Sequence, residues 1–374
     1  LEKTNYAYYP EIETKTVRGI YRSKNISFRR LTVLDKENGG KADALNAGIN
    51  VASMDVLACI DVDCILSSDS ISRMVRPFME ETNRKVIAVG GVIGIANNCD
   101  VQDGTVTHYR IPESTLGKFQ VIEYFRAFLM GRMAWSRING LMLISGAFGF
   151  FKTDLVRKVG GYFPKTVGED MELVVRMRRY MDEHEIPYKL GFVPDPLCWT
   201  EVPESEDVLS RQRNRWMRGT IETLQLHRTA RLNPKYGVLG MVSYPFWSIF
   251  EKSGPVLEIT GLIYTLILLV TGDFSAIYFF ALLALMYLLS LLVSAFSVLY
   301  EQVAFNNYKD KKDLRKLIWM IILEPFIVHP KIIWWGLKGH IDFIKGKGGW
   351  GGMIRTGFKK AEDKKNIPTT ASTT

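Results

Sequence analysis

Residues 56–63 read Val56-Leu57-Ala58-Cys59-Ile60-Asp61-Val62-Asp63, an apolar run ending in two carboxylates one residue apart. A continuous apolar stretch of this length is the pattern of a strand buried on both faces. At the carboxyl end of such a strand a sharp turn can bring both acids toward one hard cation. Mg²⁺ is typically held by one or two carboxylates plus substrate phosphates. The plainer alternative is a capping or turn pair of aspartates, so the surroundings must decide.

Outward from this stretch, further apolar runs that read as buried parallel strands lie at 31–34, 86–89 and 141–144. Helical patterns fall between them. After Ser67-Ser68, which can cap, Ile71, Met74, Val75, Phe78 and Met79 share one helical face, and after Glu169-Asp170 so do Leu173, Met177, Tyr180 and Met181. Strands alternating with helices predict an α/β sheet whose ligands gather beyond the carboxyl ends of its strands.

The 374 residues carry 48 Lys+Arg against 39 Asp+Glu, a formal charge of +9. Length predicts about two domains. Apolar residues make up 47%, which excludes a disordered or collagen-like chain. The four cysteines, Cys59, Cys64, Cys99 and Cys198, form no C-x-x-C pair and sit in apolar surroundings. Reduced cytosolic thiols fit this better than a disulfide scaffold or a zinc site. The positive balance suits nucleic acid, an anionic membrane or a phosphorylated substrate. Leu1 stands where Met would be expected and no signal peptide follows, so an N-terminal truncation is expected.

Residues 236–335 are dominated by long apolar stretches. The segment 274–300 has no charged side chain, and about 27 residues at 1.5 Å rise more than cover a 30 Å hydrocarbon core. Gly254–Thr271 carries only Glu258 and is just long enough to span. The stretches 236–250, broken by Pro245, and 319–335, with Glu324-Pro325 and His329-Pro330-Lys331, are too short or too polar for an easy crossing. They are expected to be interfacial or re-entrant. The basic loop at 309–316 and the basic tail from 338 should face the cytoplasm. Two full spans put them on the side of the soluble domain; a third would place the tail outside. The expected division is 1–234 as a cytosolic catalytic domain, 235–337 as the membrane region and 338–374 as the tail.

Three further constellations can carry chemistry. Gly39-Gly40-Lys41-Ala42-Asp43 is a glycine turn with a lysine at a helix start, where it can reach a phosphate; the spacing is not that of a P-loop. Val167-Gly168-Glu169-Asp170 opens an amphipathic helix, as a capping pair or as a positioned general base. Gln212-Arg213-Asn214-Arg215-Trp216 joins an anion binder to an aromatic face and is the most specific local signal. Its alternatives are a basic membrane-surface helix and a nucleic-acid patch. No base-reading module accompanies it, so no nucleic-acid partner is expected. The five histidines lack metal-ligand spacing.

In this order the pieces resemble glycosyltransferase family 2, in its membrane-integrated, often processive branch of cellulose, hyaluronan and poly-N-acetylglucosamine synthases. The carrying stretches are GGKADALNAG, ACIDVDCIL, LISGAFGFFKTDLVRKVGGY, VGEDMELVVRM and RQRNRWMRG. The resemblance implies a GT-A-type, Rossmann-like mixed sheet flanked by helices, followed by a helical membrane region. It implies metal-dependent, inverting transfer from a nucleotide-diphosphate sugar, usually a UDP-sugar, to a glycan acceptor, with Mg or Mn as the cation.

Residue by residue, Asp61 and Asp63 match the metal-binding pair and Asp170 the catalytic base, with Glu169 its neighbour. Lys41 matches a donor-contacting lysine, and Asp43 beside it is expected to bind the donor as well. Ser145 and Gly146 match the floor of the site, and Gln212, Arg215 and Trp216 the acceptor and diphosphate end. The implied setting is the plasma membrane, multi-pass, with the catalytic domain facing the cytoplasm and room for a small membrane accessory subunit beside the lipid bilayer. In two respects the sequence departs from the pattern. The family's opening strand, helix and base-binding aspartate have no counterpart here, nor has its N-terminal membrane segment, which leaves an inactive membrane-bound scaffold as the alternative. Gly168 also replaces the commoner Thr before the Glu-Asp pair. A haloacid-dehalogenase-type phosphatase also places D-x-D after an apolar strand, but Cys64 stands where those enzymes carry Thr or Val.

Overall fold

The computed structural model describes residues 1–4, 8, 10–80 and 83–347. Strands β1 (Glu2–Lys3), β2 (Val17–Arg22) and β3 (Thr32–Lys36) form a small antiparallel sheet in that order. The run expected at 31–34 therefore belongs to β3 and is not a buried parallel strand. Leu31 and Val33 remain exposed.

The main sheet contains β4 (Val56–Ile60), β5 (Cys64–Leu66), β6 (Lys85–Ile95), β9 (Phe148–Lys152) and β10 (Tyr188–Thr200), in the order β4-β9-β6-β10-β5. A ribbon of β7 (Asp100–Gln102) and β8 (Thr105–His108) lies between β6 and β9 in sequence. Only β6 and β10 pair in parallel; β4–β9, β6–β9 and β5–β10 are antiparallel. The sheet is mixed, where the apolar runs alone suggested parallel strands throughout.

The run at 141–144 is not a strand; the chain enters the sheet later, at Phe148. Gly90 and Gly149 are cross-strand partners, and a Cβ on either would touch Ile144, at 3.4 and 2.9 Å. Ile144 thus lies across the sheet face over two glycines. Its burial comes from packing on the sheet rather than pairing within it.

Helices cover both faces. On one side α1 (Lys41–Val51), α5 (Thr153–Lys158) and α6 (Glu169–Glu183) bury Ile49, Leu155, Leu173 and Met177 against Leu57 and Ile87. On the other lie α2 (Ser70–Met79) and α3 (Thr115–Tyr124), the latter continuing through π-helical turns at Phe125–Arg132 into α4 (Met133–Arg137). Met74 is fully buried, while Ile71 and Met79, expected on the same face, stay exposed. α7 (Glu206–Leu226) then leads to helical turns at Leu239–Ser243, α8 (Tyr244–Phe246) and Trp247–Lys252.

α9 (Gly254–Thr271) and α10 (Ala276–Ala304) are long and apolar enough to cross a membrane. α11 (Lys311–Ile327) and α12 (His329–Ile344) are bent by 50° at their junction and would make a third span if counted together. The division expected at residue 234 is not a gap in packing. Val298 of α10 and Leu317, Met320 and Ile321 of α11 share one apolar core with Val89, Phe119 and Phe148. Arg126 anchors this junction, donating to Ser294 Oγ at 2.7 Å and to both carboxylate oxygens of Glu324 at 2.8 and 2.5 Å. The expected basic tail is described only to Lys347; residues 348–374 lie outside the described residues.

Candidate active site

β4 delivers Asp61 at its carboxyl end, and the turn closed by Cys64 N donating to Asp61 O (3.1 Å) reverses the chain into β5. Asp63 sits inside that turn and accepts from Thr200 Oγ1, at the end of β10, at 3.3 Å. Asp61 pairs with Lys41 Nζ at 2.6 Å. Lys41 opens α1 directly after Gly40, whose φ of 87° is the left-handed conformation that favours glycine. The glycine turn therefore lets the helix begin with its lysine aimed at the strand end.

Gly146 links this pair to the start of α6. Its carbonyl accepts from Lys41 Nζ at 3.4 Å, and its N–H donates to Asp170 Oδ2 at 3.2 Å. The other oxygen of Asp170 accepts from Met171 N at 2.9 Å, so two backbone amides orient the carboxylate. A Cβ on Gly146 would lie 3.1 Å from Lys41 Nζ; the floor of the site is a glycine where cation and carboxylate close over it.

Charge is concentrated here. Burial, then the charge of Asp170, pushes the Glu169 carboxyl up to about 8, with Lys41 and Arg215 pulling the other way. Burial would lower the Lys41 ammonium, yet Asp61, Glu169 and Asp170 together hold it above the ordinary lysine value. Desolvation and opposed charges of this kind are typical of sites that manage protons and anions, though ion-pair networks share the trait.

α7 brings the third stretch. Gln212, Arg215, Trp216 and Gly219 fall at i, i+3, i+4 and i+7, one face of the helix. Gly219 abuts Gly168, immediately before α6: a Cβ on Gly219 would stand 2.7 Å from Gly168 Cα. Glu222, one turn further, accepts from Thr166 Oγ1 at 2.7 Å and Val167 N at 2.9 Å. This face is thereby fixed against the segment that carries Glu169 and Asp170. Gln212 Oε1 is buried and accepts no hydrogen bond among the described residues, and Trp216 leaves 42% of its surface exposed.

Lys41, Asp61, Gly146, Glu169 and Asp170 are thus joined through contacts or charge, with Arg215 in electrostatic reach. Asp63 is one turn away on Thr200. Ser145 sits in the same loop, its Oγ accepting from Ala147 N at 3.4 Å. Asp43 is not drawn into the cluster: its oxygens accept from Lys15 N, at 2.8 Å, and from Lys36 Nζ.

Sequence reading missed several neighbours. Arg213, inside the Gln-x-x-Arg-Trp stretch, makes a double ion pair with Glu123 at 2.5 and 2.6 Å and lies 4.4 Å from the Trp216 ring centroid. It braces the tryptophan from behind. Burial lowers the Arg132 guanidinium to about 10, against the charge of Asp170. Neither Glu123 nor Arg132 belongs to a local pattern; only the packing of α3 and the turns after it reveals them.

Two hard carboxylates on a strand end fit Mg²⁺ or Mn²⁺, which complete their shells with water and substrate phosphates. Among the described residues no group of three or more His, Cys, Asp or Glu side chains is placed to hold a metal by itself.

The chain is similar to several known proteins. The chain is 33% identical over 187 residues to the poly-β-1,6-N-acetyl-D-glucosamine synthase of Staphylococcus epidermidis. It is 34% identical over 191 residues to the protein of that name from Staphylococcus aureus. Each match covers 50% of this chain and 40% of the relative's own length. A solved mannosyltransferase from Pyrobaculum calidifontis, in complex with GDP-Man and Mn²⁺, aligns over 84% of this chain and 69% of its own, with 14% identity and a TM-score of 0.47. Residues 13–219, which hold the site residues from Lys41 to Trp216, match the family described as Glycosyltransferase like family 2, and the chain belongs to that family.

Proposed function

We propose that this chain is a membrane-bound, inverting glycosyltransferase that moves a sugar from a UDP-sugar to a hydroxyl of a glycan acceptor at the cytoplasmic membrane face. The observation that carries the reading is Gly146, whose carbonyl and amide tie Lys41 to Asp170 while Lys41 holds Asp61. A strand-end acid, a phosphate-seeking cation and an oriented carboxylate meet at one backbone position.

Asp61 and Asp63 would hold a divalent cation, which neutralises charge on a departing diphosphate. Lys41 and Arg215 add fixed positive charge for the same leaving group. Asp170 accepts the proton of the acceptor hydroxyl as its oxygen bonds to the anomeric carbon and the bond to the diphosphate breaks. Attack opposite the leaving group inverts the anomeric centre. Trp216 offers an aromatic face to a sugar, and Gln212 Oε1 an acceptor for a sugar hydroxyl. The matching synthases make N-acetylglucosamine the first sugar to test. The basic segments at 309–316 and from 338 support a cytoplasmic site, and a small accessory membrane subunit beside the apolar helices is part of this reading.

The test is incorporation of radiolabelled sugar from a panel of UDP-sugars into membranes containing the chain, with EDTA and metal add-back. Asp170→Asn is expected to abolish transfer while sparing UDP binding. Full turnover in that variant removes Asp170 as the base. Donor binding without transfer from any sugar would favour a scaffold.

A further inference from the structure

Next to the first membrane helix the chain forms a cavity of about 670 Å³ that none of Lys41, Asp61, Glu169 or Asp170 lines. Four cations reach it from three separate pieces of the chain. Lys165 comes from the loop before α6, Arg228 and Arg231 follow α7, and Lys252 ends the helical turns at Trp247–Lys252. None of the four is in an ion pair among the described residues. Glu222 is the one acid in the lining, and it is already committed to Thr166 and Val167 N. Positive charge gathered in a recess repels itself and raises the local concentration of anions.

The position of the recess narrows the ligand. Lys252 precedes Gly254, the first residue of α9, by two positions. On the same turns Ile249 and Phe250 are 51% and 62% exposed, apolar surface that a bilayer boundary covers. Leu226, also in the lining, is exposed. A basic pocket with an apolar edge at the start of a span lies at headgroup depth. We propose that this cavity binds the phosphate headgroup of an anionic membrane phospholipid through Lys165, Arg228, Arg231 and Lys252. This site is separate from the transfer chemistry proposed above.

Thermal unfolding of the full chain in detergent micelles tests it, with phosphatidylglycerol or phosphatidylcholine of identical acyl chains added. A ligand that binds only the folded state raises its melting temperature. Phosphatidylglycerol is expected to raise Tm by about 3 °C or more, and phosphatidylcholine to leave it unchanged. The Arg228→Gln/Arg231→Gln variant is expected to lose that rise, and Lys165→Gln, on a different loop, to weaken it should the double variant fold poorly. Asp170→Asn is expected to keep the full response, so this site and the transfer reaction fail separately. An equal response to phosphatidylcholine, an unaltered response in both cavity variants, or an equal rise with inorganic phosphate at the same phosphate concentration would overturn the proposal.

Discussion

Gly168 and Gly219 meet backbone to backbone: a Cβ on Gly168 would stand 2.8 Å from Gly219 Cα. This contact sets how closely α7 approaches the start of α6, and it explains why glycine precedes Glu169-Asp170 in this chain. Threonine at 168 would force the helices apart. Gly168→Thr is expected to destabilise the fold by about 1–3 kcal/mol and to raise the acceptor KM more than the donor KM. Melting temperature and steady-state kinetics check both; unchanged values would show that the segment can shift freely.

Lys41 bridges two of the three stretches, so Lys41→Met should lower kcat by about 10²-fold. Folding should survive, because the lysine pairs at the rim of the sheet rather than inside its core. Transfer assays and circular dichroism on the same preparation separate the two effects. Chelation should abolish transfer in the unmodified chain, and added Mg²⁺ or Mn²⁺ should restore it.

The raised Glu169 carboxyl makes stability depend on pH. Its folded value of about 8 stands above the ordinary 4.5, so between those values the folded state binds more protons than the unfolded one. Stability therefore falls as pH rises through that window. Glu169→Gln should flatten this part of the profile, which melting temperatures at pH 5, 7 and 9 would show.

Arg126 and Glu324 tie α11 to the helical turns after α3. Glu324→Gln leaves the guanidinium with Ser294 and a neutral amide, and is expected to cost about 2 kcal/mol, because removing one partner of a largely buried pair strands the other. Replacing both, as Arg126→Met/Glu324→Leu, should recover part of that loss in thermal unfolding. A double variant no better than the single one would argue against the pair's role.

The apolar run into Asp61, the amphipathic helix after Asp170, the Gln-x-x-Arg-Trp stretch and the two long spans could all be read from the chain. Each is a local pattern of periodicity, capping or uninterrupted apolarity, and local patterns survive without knowledge of partners. Strand direction could not be read this way. A run buried on both faces looks the same whether its neighbours are parallel or antiparallel, and Ile144, buried over Gly90 and Gly149, looks like a strand residue. Nor could the chain order reveal that Arg213 serves Glu123 while the charge of Arg215 acts on Glu169, or that four cations collect beside Gly254. Those relations join residues dozens of positions apart. Only tertiary packing, of α7 beside α3 and α6 and of the segments before α9 around one cavity, brings them within reach of a hydrogen bond or a charge.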